Sequence, residues 1–414
     1  MRFHFIHAAD LHIDSPLASL GLKDPAVAAR FARANRDAVE KLVKETIDGR
    51  AAFLIIAGDI FDGDWRDVST GLFFTRALGD LHRAGIPTLI IKGNHDADSV
   101  IARSLTYPEN TLTFASNRAE TKTLDALSVA LHGRSFGVRN PTGEFLGSYP
   151  ARREGWLNIG LLHTALDGTR AGHESYAPCT VEDLKRFGYD YWALGHIHAA
   201  EIVSRDPWVV YPGNLQGRSV RETGAKGAMR VTVDDGRVVE VEPLHFDGAR
   251  WAHETIDVSA CLDEADVLPL VGAALERLHA DAGGRPFAIR ITLEGTTPAH
   301  SRLVVHREGI EADARARGFQ IASDCWVERI RIATRPPPLR RIAATAEPDA
   351  LDIPALLAAA AEDPEFAAAV AEIMRTVAEK LPRHKRDEIA ADDPLAVVAR
   401  VALARDYLSA DASS

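Results

Sequence analysis

Metal-ligand side chains recur in this sequence at the ends of apolar runs. Asp10 and His12 form a D-x-H pair after residues 3–9. Asp59 follows the run 53–57 in Gly58-Asp59-Ile60-Phe61-Asp62, and Asn94, His95 and Asp96 follow 87–91 in Gly93-Asn94-His95-Asp96. His163 follows Leu161-Leu162, and His196 and His198 follow Leu194 in Gly195-His196-Ile197-His198. Alternation along an extended chain is expected to put Asp10 and His12 on one face. Carboxylate, amide and imidazole donors without thiolates suit manganese, iron or zinc. Seven of these groups would be too many for one ion and a natural number for two. Two dications ~3.5–4 Å apart repel, so a shared carboxylate must bridge them. Glycines 58, 93 and 195 are expected to let the backbone turn sharply and bring the next side chain to the ions. A lone D-x-H or GNHD is usually structural; five signals in one order, each after an expected strand, favour a metal site. His4, His7, His82 and His132 lack that context and read as ordinary core or surface histidines.

Such a site needs a frame that brings several strand ends together. Residues 3–9, 53–57, 87–91, 157–162 and 191–194 read as strands. Helices are expected over 25–48, with Asp24 as N-cap and Pro25 in the first turn, and over 67–84 and 181–187. Shorter alternating runs over 111–136 suggest antiparallel strands, and 209–211, 228–233 and 238–244 continue the β pattern. Interleaved helices and strands predict an α/β sandwich, with the donors at carboxyl ends of strands, where open α/β sheets form their sites. Near Phe246 the pattern changes. Strands at 251–258, 287–293 and 326–333 and helices at 263–280 and 309–316 make a small α+β domain. Pro336-Pro337-Pro338 is a stiff punctuation mark. The Ala-rich stretch 351–408 reads as helical. Asp363-Pro364 and Asp393-Pro394 supply helix starts, and Phe366, Val370, Ile373, Val377 and Leu381 share one face. The expected division is 1–246, 247–335 and 336–414.

Composition narrows the function classes. The 414 residues are 46% apolar and 26% charged, which argues against disorder. The longest apolar stretches, such as 52–57 and 88–91, are too short for a bilayer, and the N-terminus lacks the apolar core of a secretory signal. Three scattered cysteines, Cys179, Cys261 and Cys325, argue against a thiolate zinc site and a disulfide framework. A cytoplasmic protein without membrane contact is expected. A net charge of −11 argues against holding nucleic acid by bulk charge alone; metal ions, local arginines or a partner would supply the positive field. Arg139, Arg152 and Arg153, between the motif strands, are candidates for phosphate contacts, with solvated surface arginines as the simpler reading. The same two readings apply to Arg340-Arg341 and Arg383-His384-Lys385-Arg386.

The ordered set D-x-H, GDxFD, GNHD, a lone His and GHxH resembles the calcineurin-like metallophosphoesterases. The segments FIHAADLH (5–12), GLLHT (160–164), YDYWALGH (189–196) and YPGNLQGR (211–218) resemble the bacterial YhaO proteins. These are relatives of SbcD and of the nuclease subunit of the eukaryotic double-strand-break repair complex. The likeness is strong to about residue 245 and mostly architectural beyond. It implies an α/β fold, a calcineurin-like β-sandwich flanked by helices, with an α+β capping domain and a helical C-terminal region. It implies two divalent metal ions, usually Mn2+. Asp10, His12, Asp59 and His198 would hold one, and Asp59, Asn94, His163 and His196 the other. His95 would not ligate; it would face the scissile phosphate and stabilise or protonate the leaving oxygen. The resemblance further implies a DNA exo/endonuclease in repair. Its partner would be an SMC-like ATPase of the SbcC or YhaN kind, docked on the C-terminal helices, and the nuclease would be a homodimer. The apolar stripe from Phe366 to Leu381 would be that docking face or would close an intramolecular helical hairpin. Two positions depart from the pattern: Asp62 stands where many repair nucleases carry His, and Ser219 follows Gly217-Arg218 where His is expected. Asp62 and Arg218 are the candidates for substrate contact. Two rival readings are a small-molecule phosphodiesterase acting on cyclic nucleotides and a non-catalytic scaffold. The additional domain argues against the first, and the intact set of seven donors against the second.

Overall fold

Successive residues of the first strand, β1 (Arg2–Ala8), point into two different cores. Phe5 joins an apolar cluster with Ile55, Ala57, Leu89, Ile91, Leu131, Ile159, Leu161, Tyr191 and Val210. Ile6 and Ala8 join another with Leu54, Ile56, Ile90, Val39, Leu42, Phe74 and Leu78. A strand apolar on both faces needs a layer on each side, and the computed structural model of the chain supplies them. It describes residues 1–15, 25–62, 67–99, 105–141, 145–166 and 177–337, with a few helical positions between 363 and 372.

Two compact units make up the fold. The first comprises residues 1–253, 275–290 and 318–328. In it β1 pairs in parallel with β2 (Leu54–Ala57), β2 with β3 (Thr88–Ile91), and β3 with β4 (Thr111–Thr113). The strands β11 (Gly227–Asp234) and β12 (Arg237–His245) extend this sheet antiparallel beyond β1. The second sheet runs β5 (Glu120–Leu124), β6 (Val129–Gly133), β7 (Leu157–His163), β8 (Tyr191–Gly195), β10 (Trp208–Tyr211), β9 (Glu201–Arg205). The cluster around Phe5 fills the space between the sheets. Helices α1 (Pro25–Asp48) and α2 (Val68–Arg83) cover the first sheet. Asp67 caps α2, accepting from the Ser69 backbone N–H at 2.8 Å. Leu184, from α4 (Val181–Lys185), packs with Phe136, Tyr149 and Trp192 on the outer face of the second sheet. The alternating runs over 111–136 predict antiparallel pairing. β5 and β6 pair that way, but β4 runs parallel to β3 in the other sheet.

The second unit comprises residues 254–274, 291–317 and 329 onward. Its segments belong to β13 (Arg250–Asp257), β14 (Phe287–Thr296) and β15 (Cys325–Arg335), a three-stranded sheet with β14 central, and to α5 (Val267–Asp281), α6 (His300–Val305) and α7 (Arg307–Ile321). Here Thr297 Oγ1 donates to Cys261 O at 2.5 Å. Asp24, the basic runs at 340–341 and 383–386, and almost all of 351–408 lie outside the described residues. Among the described residues no helix is long and apolar enough to cross a membrane.

Candidate metal centre

Most donors follow the strands directly, in segments that hydrogen-bond to one another; His163 is the last residue of β7 and Asn94 opens a short helix. Beyond β1 the backbone runs beside the segment that follows β2: Asp10 N–H donates to Gly58 O at 2.9 Å, His12 N–H to Asp59 O at 3.0 Å, and Ile13 N–H to Ile60 O at 2.9 Å. Asp10 (φ 52°), His12 (φ 42°), Asp59 (φ 53°) and His196 (φ 95°) all adopt left-handed backbone. That conformation is strained for residues with a Cβ. Asp10 and His12 therefore converge through two left-handed residues after the strand has ended, not through alternation along an extended chain. Gly58 (φ 95°) turns the backbone, as expected. Gly93 and Gly195 serve a different purpose, which is space. A Cβ on Gly93 would lie 2.2 Å from Asp59 Oδ1, and one on Gly195 would lie 2.0 Å from Ala57 O.

Three donor groups result among the described residues: two are built of expected ligands, and a third joins His12, Asp62 and His95 at the rim. One ring nitrogen or carboxylate oxygen each from Asp10, His12 and His198 lie within 4.8 Å of one another, and so do those of Asp59, His163 and His196. His12 Nε2 is 3.2 Å from His198 Nε2. His163 Nε2 is 3.3 Å from Asp59 Oδ2 and 3.0 Å from Asn94 Oδ1. Asp59 Oδ2 also lies 3.9 Å from His12 Nε2, so this carboxylate stands between the groups. Asn94 opens the short helix α3 (Asn94–Asp98). The seven expected ligands are thus brought together, and all but His198 are buried.

The side chains present fit divalent cations. His12 donates through Nδ1 to Asp62 at 2.8 Å, His163 to Ala57 O at 2.9 Å, and His198 to Glu222 at 2.8 Å. With each Nδ1 committed to an acceptor, each Nε2 is turned inward, the arrangement of metal-binding histidines. Two such nitrogens at 3.2 Å oppose their lone pairs unless positive charge lies between them. The electrostatics agree. Burial raises the Asp59 carboxyl, but His163, His12 and His95 together hold it well below the usual range. Burial opposes charge on His163, yet the Asp59 carboxylate raises it to about 9. Burial pushes Asp10 up to about 6, against the pull of His198 and His163. Burial, aided by Arg218, lowers His12 to about 4.

His95 stands at the rim. Its backbone N–H donates to Asp59 Oδ1 at 2.9 Å, its Nδ1 lies 3.1 Å from Asp62 Oδ1, and its side chain is 31% exposed. Burial opposes charge on this ring, but Asp62 and Asp59 raise its pKa above the ordinary histidine value. The Asp62 carboxylate spans His12 and His95 through Oδ1 and faces Arg218 NH1 at 3.5 Å through Oδ2. Arg218 also reaches Ser15 Oγ at 3.2 Å.

Of two acids that support the site, sequence reasoning noted Asp96 in the GNHD motif without a role and missed Glu222. Asp96 accepts from the N–H groups of Ile60, Phe61 and Gly93 at 2.9–3.0 Å and so holds the Asp59 loop. Glu222 backs His198; nothing in its sequence context marks it, since it follows no strand. Of the other histidines, His7 is buried between Tyr191 OH (2.9 Å) and Leu194 O (3.1 Å), and burial lowers its pKa to about 3. His132 bonds Thr121 and Asn158, and His82 bonds Asn110. Arg152 donates to Gly188 O at 2.8 Å, and Arg153 lies over the Trp156 ring at 3.6 Å.

Comparison with known proteins places the chain in a family. The calcineurin-like phosphoesterase family matches residues 3–200, and the middle domain of the metallophosphoesterase YhaO matches residues 251–335. The chain is 32% identical over 299 residues to the metallophosphoesterase YhaO of Bacillus subtilis, covering 71% of this chain and 72% of that one. It is 26% identical over 313 residues to a DNA double-strand break repair protein of Methanopyrus kandleri, covering 68% of this chain and 65% of that protein. The crystal structure of a dimetal phosphatase from Danio rerio aligns with a TM-score of 0.34 and 12% identity over 59% of this chain and 99% of its own. The family matches and the likeness to the Bacillus protein decide kinship: the chain belongs to the calcineurin-like metallophosphoesterases, in the YhaO family, and is a phosphoester hydrolase of the divalent-metal type.

Proposed function

We propose that this chain hydrolyses phosphodiester bonds in DNA, as an exo- or endonuclease of repair, with Mn2+ as its activating metal. The observation that carries the reading is the pair of donor groups with Asp59 standing between them, and His95 at their rim beside Asp62. The DNA substrate draws support from the Methanopyrus kandleri relative, and from a second unit that a small substrate does not need. Asp10, His12, Asp59 and His198 would hold one cation, and Asp59, Asn94, His163 and His196 the other. Divalent cations bound there supply Lewis acidity toward the phosphate and its attacking water. The protein's own residues do the rest. Asp62 accepts a hydrogen bond from His95 Nδ1–H, which leaves Nε2 to meet the departing oxygen. The same carboxylate favours the charged imidazole, so His95 can donate a proton as the P–O bond breaks. Buried walls exclude bulk water around Asp10 and Asp59, which strengthens each charge interaction there. An SMC-like ATPase on the C-terminal region, a homodimer and a cytoplasmic setting belong to the same reading and rest on resemblance.

The test is a manganese-dependent cleavage assay on linear duplex DNA, single-stranded DNA and a cyclic nucleotide. It is run with and without an ATPase encoded beside this protein. DNA cleavage is expected. Turnover of the cyclic nucleotide with DNA left intact would replace this reading with the small-molecule one.

A further inference from the structure

A second layer of charge stands behind the histidines. Both oxygens of Glu222 are engaged: Oε1 accepts from His198 Nδ1 at 2.8 Å, and Oε2 accepts from Arg218 N at 2.7 Å and Asn214 Nδ2 at 2.9 Å. A turn aims this side chain, closed by Glu222 N–H to Ser219 O at 2.9 Å. The main chain of His198 is held by other donors. Its carbonyl accepts from Lys226 Nζ at 2.9 Å and from Asn214 N at 3.3 Å. Glu222 therefore meets the His198 ring directly and its backbone only through Asn214. The guanidinium of Arg218 lies between two carboxylates, 3.5 Å from Glu222 Oε1 and 3.5 Å from Asp62 Oδ2. Asp62 does for His12 and His95 what Glu222 does for His198.

We propose that Glu222 is a positioning residue that sets the tautomer and rotation of His198, and that Arg218 couples it to Asp62, so that His12, His95 and His198 are aligned as one unit. The consequence for metal binding rests on the two-cation reading above; the consequence for the ring does not. A carboxylate accepting from Nδ1 holds the proton there and leaves Nε2 bare toward Asp10 and His12. An amide in its place can donate as well as accept, so the tautomer is no longer fixed.

Glu222→Gln is the direct test, on the full chain. Isothermal titration with Mn2+ is expected to show ~10–100-fold weaker binding, the usual effect of losing such a partner. In the metal-free chain, 15N spectra of labelled histidines, with His198 assigned by His198→Asn, should change from the Nδ1–H form to a mixture. Glu222→Asp, which keeps the charge on a shorter stem, is expected to keep the tautomer and lose less affinity. Equal losses in the two variants would mean packing rather than charge and would overturn the proposal, as would wild-type affinity and tautomer in Glu222→Gln. For the coupling, Glu222→Gln and Asp62→Asn are combined. The joint loss of Mn2+ affinity should depart from the product of the single losses by at least about 2-fold. In an Arg218→Gln background the losses should multiply. Simple multiplication with Arg218 present would overturn the coupling. If the wild type binds no Mn2+, the metal reading falls, and the 15N spectra still decide whether Glu222 sets the ring.

Discussion

Gly195→Ala tests why the two sheets meet without a side chain between them. Gly195 ends β8, and an added Cβ would sit 2.0 Å from Ala57 O and 2.8 Å from His163 Nδ1. Ala57 O ends β2 and accepts from His163 Nδ1 at 2.9 Å. The nearer obstacle, Ala57 O, is main chain, so no rotamer change relieves that clash. Restoring even a 3.0 Å contact requires the strand ends to part by about 1 Å, which breaks the His163 bond. Overpacking of this kind costs ~1–3 kcal/mol, and the lost bond adds ~1 kcal/mol. The expected loss is therefore ~2–4 kcal/mol, or roughly 4–16 °C in Tm for a unit of this size. His163 loses the acceptor that orients it, so Mn2+ affinity should fall ~10–100-fold in parallel. Urea unfolding of the metal-free chain and isothermal titration with Mn2+ measure the two effects. Gly309→Ala is the control. A Cβ there meets nothing within 4 Å, and in the first turn of α7 it should be neutral or stabilising by up to ~1 kcal/mol. Wild-type stability and Mn2+ affinity in Gly195→Ala would refute the reasoning, because the seam would then have room that its geometry denies.

Three further outcomes are expected. Asp59→Ala removes the carboxylate that faces both donor groups, so purified protein should retain neither metal nor diester hydrolysis; elemental analysis showing full occupancy would contradict the shared role. His95→Ala should keep its metal while kcat on a generic diester falls ~10²–10⁴-fold, and loss of metal would make His95 a ligand instead. In the cation-free chain the folded pKa of His163, about 9, lies above the ordinary 6.5. The stability from that proton is thus fully present below pH 6.5 and lost as pH rises through about 9. Mn2+ must displace the proton. Titrations near ~pH 8 in buffers of different ionisation enthalpy should therefore give different observed heats, and identical observed heats in every buffer would argue against proton release.

Much of the frame was legible because burial on both faces writes itself as an apolar run. Leu54–Ala57 and Thr88–Ile91 are buried throughout, and the donors stand just past such runs. The polar strand Glu201–Arg205 and the short helices Asn94–Asp98 and His300–Val305 carried no such signal. The YPGN-LQGR segment marked kinship, but much of its chemistry is structural: Tyr211 OH donates to Thr164 O, Gln216 Nε2 to Ala249 O, and Gly217 O accepts from Trp251 Nε1.

The sequence by itself determined the donor types, their order, and the periodicity that makes strands end beside them. Only the tertiary structure decided which donors meet. Asp10 accepts from the backbone of His196, 186 positions away. Left-handed backbone at Asp10, His12, Asp59 and His196, rather than alternation, aims those side chains. Glu222 joins them only because a turn after β10 returns it to His198. Periodicity records which face of an element is buried. It holds no record of the angle at which a chain leaves that element, and at these strand ends that angle places the ligands.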